Sequence, residues 1–61
     1  MRDQDVLRQV RAMPDDELRD TRRDLEVGIG LMRRESPMYA PASAYLDAVS
    51  AELARRAGQQ A

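Results

Sequence analysis

The chain has 61 residues, with ten arginines against eleven acidic side chains, a formal net charge of −1, and no lysine, histidine or cysteine. A domain this short buries only about 60% of the surface its unfolded form exposes, and without disulfides or the usual zinc ligands the staple left to it is oligomerisation. The balanced charge gives no general reason to bind nucleic acid. No apolar run nears the roughly 18 residues of a membrane span, and Met1 to Asp5 lacks the basic and apolar regions of a signal peptide, so a cytoplasmic protein with no membrane partner is expected.

At 43% apolar the chain is not compositionally disordered. Its all-Arg basic set, with plentiful Ala and Asp, marks a coding sequence rich in G and C and points to a bacterial source.

Residues 3 to 13 place Val6, Leu7, Val10 and Met13 at the spacing of a short amphipathic helix, which Pro14 ends. Asp15-Asp16-Glu17 then supplies a cap candidate and an acidic first turn for a long helix over 15–35. On a 100° wheel Leu18, Leu25, Ile29 and Met32 fall within about 60° of one another, with Thr21 and Gly28 on the flank. Val27 and Leu31 lie elsewhere, in the sector that also carries Asp20 and Asp24. One partner helix cannot cover both faces, so either the first helix or another chain must cover the second. Arg33-Arg34 suits the negative end of the helix dipole and Ser36-Pro37 stops the helix.

Residues 36 to 40 make a short connection, and Pro41 suits the first position of a last helix over 41–57. There Ala42, Tyr45, Leu46, Val49, Leu53 and Ala57 form one stripe about 120° wide, with Ala44, Ala48 and Ala51 on the opposite, solvated side. Gly58 is the expected C-terminal cap, and residues 58–61 a frayed tail. The fold predicted is all-α: an antiparallel hairpin of two long helices that zips Leu18, Leu25, Ile29 and Met32 against Leu53, Val49, Leu46 and Ala42. The short first helix packs across it, and two copies dimerise into a four-helix-type bundle, all within one domain.

Gly28 and Gly30 each cost a helix about 1 kcal/mol relative to Ala, which asks for a compensation: close approach of a crossing helix, or a kink. Gly28-Ile29-Gly30 fits a phosphate-binding loop poorly, because such loops follow a strand and open a helix, and the third glycine and the Lys-Ser/Thr that would add specificity are missing. The pairs Arg22-Arg23, Arg33-Arg34 and Arg55-Arg56 could form a nucleic-acid patch. However, Arg19, Arg22, Arg23, Arg55 and Arg56 each have a carboxylate three or four residues away, as in helix-surface ion pairs. Arg33 and Arg34 are the least neutralised. Asp20 and Asp24, preceded by Asp16, could hold a divalent cation or serve acid-base chemistry, but no His or Cys accompanies them and no concave pocket is expected in a helical hairpin.

Met38 and Tyr39, with Met32 and Tyr45, either plug the end of the bundle or form a docking patch. No catalytic, metal or cofactor residue is assigned. The candidate partner-binding residues are Val27, Gly28, Gly30, Leu31, Arg33, Arg34, Met38 and Tyr39. They point to a non-enzymatic interaction module, a regulatory or adaptor protein that binds itself and docks on a larger protein. The alternatives are a DNA-associated factor using Arg22, Arg23, Arg33 and Arg34 in a dimer, and an assembly component of a larger complex.

Overall fold

A computed structural model describes residues 3–60, with side chains from Gln4 to Gln59. Three helices make up the described chain: α1 (Asp3–Ala12), α2 (Asp15–Leu31) and α3 (Tyr39–Gln60), with no strand among the described residues. None of these helices is long and apolar enough to cross a membrane.

The break between α1 and α2 falls where proline demands it. Pro14 is extended at φ −64° and ψ 159°, and the Met13 amide donates back to the Val10 carbonyl at 3.3 Å. Pro14 also occupies the cap position of α2 and has no side-chain acceptor to offer. The acidic first turn takes over that role, with Asp15, Asp16 and Glu17 at the positive end of the helix dipole.

α2 ends at Leu31, four residues short of the predicted boundary. Met32 turns extended at φ −84° and ψ 148°, and its amide donates to the Ile29 carbonyl at 3.1 Å. Two glycines in the closing turn, each about 1 kcal/mol poorer than Ala in a helix, explain the early stop. Arg33 and Arg34 therefore lie beyond the helix, in a connection spanning 32–38, and do not cap its dipole.

That connection is held by its own backbone. Ser36 N donates to the Arg33 carbonyl and Tyr39 N to the Ser36 carbonyl, each at 3.0 Å, while the Met38 amide donates to Ser36 Oγ at 3.3 Å. α3 thus begins at Tyr39, two residues earlier than predicted, with Pro41 in its third position. A missing N–H is harmless there, since the first four amides of a helix have no intrahelical partner. At the other end α3 runs through Gly58, which has no positive φ, as far as Gln60. The expected glycine cap and fraying at 58–60 are corrected accordingly, and Ala61 lies outside the described residues.

Each helix gives one fully buried side chain to the core: Val10, Leu18 and Val49. Val6, Met13, Leu25, Tyr45, Ala48 and Leu53 pack around them. α3 is the shared element, with α2 and α1 both packed on it. The α2 stripe of Leu18, Leu25, Ile29 and Met32 is buried or half-buried as predicted, and so is the α3 stripe except for Ala57, which is exposed. Ala48, assigned to the solvated side, packs against the core instead because α1 lies over α3.

The accessible surface is 4890 Å², spread over extents of 39 × 23 × 16 Å. A compact monomer of this mass would expose about 4000 Å², so the elongated chain carries roughly 900 Å² more.

Candidate functional site

The outward face of α2 near its C-terminal end is apolar and uncovered. Val27 is 59% exposed and Leu31 84%. α1, which could have folded over them, lies on α3. Gly28 and Gly30 belong to the same closing turns, and a Cβ built on either would meet nothing within 4 Å. Close packing within one chain, the expected reason for these glycines, is therefore absent.

Charge brackets this patch. Asp20 and Asp24 precede it on α2 and Arg33 and Arg34 follow it; all four are exposed, and none makes an ion pair among the described residues. The chain matches no protein-family model, no curated protein and no solved structure.

A second apolar surface is an open groove of about 830 Å³. Val6 and Leu7 of α1, Leu25 of α2, and Pro41, Ala42 and Tyr45 of α3 are among the side chains that line it, and Met38 borders it. No such concavity was expected of a helical hairpin. It exists because α1 and α2 both lean on α3 and leave Leu7 and Met38 standing at 44% and 61% exposure. Its polar groups are few: the Asp47 carboxylate and the Tyr45 hydroxyl, which donates weakly to Met13 Sδ at 4.0 Å. Such a lining is mostly apolar.

The third feature is an ion cluster around Glu52, a carboxylate only 6% exposed. Arg55 grips it with two bonds, Nε to Oε1 at 3.0 Å and Nη2 to Oε2 at 2.6 Å, and Arg56 Nε donates to Oε2 at 2.7 Å. Arg56 also reaches Asp15 Oδ1 at 2.6 Å through Nη1 and the Arg11 carbonyl at 3.0 Å through Nη2. One guanidinium thus ties all three helices together. Hydrogen bonds from Arg55 and then Arg56 hold the Glu52 carboxyl down to about 2, and the two arginines are raised in turn by Glu52 and, for Arg56, first by Asp15. With both oxygens occupied, Glu52 is a structural anchor.

Among the described residues no group of three or more carboxylate, imidazole or thiol side chains could hold a metal ion. Of the predicted partner residues, Val27, Gly30, Leu31, Arg33, Arg34 and Met38 are exposed and Gly28 and Tyr39 half-buried. The structure gathers Val27, Gly28, Gly30 and Leu31 on the end of α2 and assigns Met38 to the groove, which Val27, Leu31 and Tyr39 do not line. Sequence reasoning missed Leu7, whose signal was its place beside the Val6/Val10 stripe, and it read Glu52 with its arginines as a solvated pair.

Proposed function

We propose that the protein is a non-enzymatic interaction module, a small regulatory or adaptor protein that associates with itself and docks on a larger protein. The observation that carries this reading is the exposure of Val27 and Leu31, at 59% and 84%, on a helix whose other face is packed. Burial there is worth about 25 cal/mol per Å² of apolar area, a large gain for a core with one fully buried side chain per helix.

Within the module, α2 and α3 pair as an antiparallel hairpin. Supporting this, Arg56 near the end of α3 meets Asp15 at the start of α2, whereas Leu25 shares the groove with Ala42 and Tyr45 from the start of α3.

Light scattering on a sizing column over a hundredfold range of concentration tests the reading. The expected result is a dimer whose mass falls to that of a monomer in Leu31→Glu; a parent chain that stays monomeric throughout overturns self-association. The exposed, unpaired Arg33 and Arg34 favour a second reading, binding to nucleic acid. It would show as a gel shift that weakens steeply with salt.

A further inference from the structure

The charges along the outer face of α2 are ordered, and the order suits a second copy of the same chain. At 100° per residue Asp20, Asp24, Val27 and Leu31 share a sector about 60° wide, with Gly28 and Gly30 flanking it at about 80° on either side. Read from N- to C-terminus, the face is acidic, then apolar, then basic where Arg33 and Arg34 follow the last turn. A stripe that begins acidic and ends basic is complementary to itself only when reversed.

We infer that two copies pair through this face antiparallel, about a two-fold axis at the level of Ile29. That axis sets Val27 opposite the partner's Leu31. Asp24 lies five residues, or about 7.5 Å along the helix, from the axis. The partner's Arg33 and the partner's Arg34 follow just past the end of the partner's helix at Leu31, on the side of the axis where Asp24 stands. A parallel pairing would instead set Asp24 against its own copy and the arginines against theirs, where like charges repel.

This arrangement rests on the self-association proposed above and adds its direction and register. Its test is a charge exchange, followed by sedimentation equilibrium on the full chain. Asp24→Arg alone, and Arg33→Asp with Arg34→Asp together, should each raise the dimer dissociation constant about tenfold to a hundredfold, since two ion pairs per dimer turn repulsive. An equal mixture of the two variants should form a heterodimer within about threefold of the parent's affinity. There the cation introduced by Asp24→Arg in one chain meets the carboxylates introduced by Arg33→Asp and Arg34→Asp in the other.

All three positions are exposed and unpaired, so helix content by circular dichroism should match the parent's. A parent that never dimerises defeats the self-association reading itself. A parent dimer indifferent to both exchanges, or a mixture no tighter than its components, overturns the register while leaving self-association intact. Dissociation by Met38→Glu but not by Asp24→Arg would do the same and place the interface at the groove.

Discussion

Arg56 Nη1 stands 2.6 Å from Asp15 Oδ1, joining residues 41 apart in sequence across the α2–α3 contact. The same guanidinium holds Glu52 and the Arg11 carbonyl, so its planar fork is used on three sides, a geometry lysine cannot reproduce. Arg56→Lys should therefore lose much of the stability that Arg56→Ala loses. Both should destabilise more than Arg22→Ala, which breaks only an exposed i,i+4 pair at 3.7 Å, an interaction worth about 0–1 kcal/mol. Chemical denaturation of the three variants checks the ranking. An Arg56→Ala variant no less stable than Arg22→Ala would show that the cluster holds nothing together.

Glu52 gives the cluster a pH dependence of definite sign. Its carboxyl falls from an ordinary 4.5 to about 2 in the folded protein, through hydrogen bonds from Arg55 first and Arg56 second. A group with a depressed folded value stabilises fully above its unfolded value and loses that contribution as pH falls through the folded one. Stability should thus decline between about pH 4.5 and pH 2. In Glu52→Gln, lower at neutral pH to begin with, that part of the decline should be missing. Thermal melts at pH 7, 4.5, 3 and 2 measure both curves; parallel curves would mean that Glu52 does not carry the acid sensitivity.

The weight of the core rests on few side chains. Leu18 is 0% exposed, and Leu18→Ala should cost about 2–5 kcal/mol. That is a large fraction of what a domain of this size holds in total, and the variant should be largely unfolded at room temperature. Leu46, half-buried in the inward stripe of α3, should lose clearly less on the same change. Urea midpoints for the two variants decide it, and equal losses would mean that the stripe is uniformly packed.

How much of this was readable in advance follows the range of the forces involved. The helices, the break at Pro14 and the inward stripe of Leu18, Leu25, Ile29 and Met32 come from local propensity and periodicity, and the sequence displays both. Helix ends are decided by balances of about 1 kcal/mol, and there Gly28 and Gly30 outweighed the cationic residues expected to prolong α2. Ala48 and Leu7 changed roles because α1 settled on α3 and not on Val27 and Leu31, a tertiary choice that no single-helix wheel contains. Glu52 could be paired with Arg55 and Arg56 by spacing alone, but the reach of Arg56 to Asp15 and Arg11 depends on where α1 and α2 end up.

Gly30→Ala separates the folding of one chain from the pairing of two. In the monomer the added methyl meets open space, and the gain in helix propensity should raise stability by about 0.5–1 kcal/mol. In a dimer paired through Val27 and Leu31 the same methyl would stand on the flank, about 80° from the line of contact, so the dissociation constant should stay within about threefold of the parent's. Denaturant melts at low concentration, where the monomer prevails, should therefore show a more stable chain, while sedimentation at high concentration shows a dimer of nearly unchanged affinity. A dimer clearly weakened by Gly30→Ala would mean that α2 meets its partner on the Gly30 side and not through Val27 and Leu31.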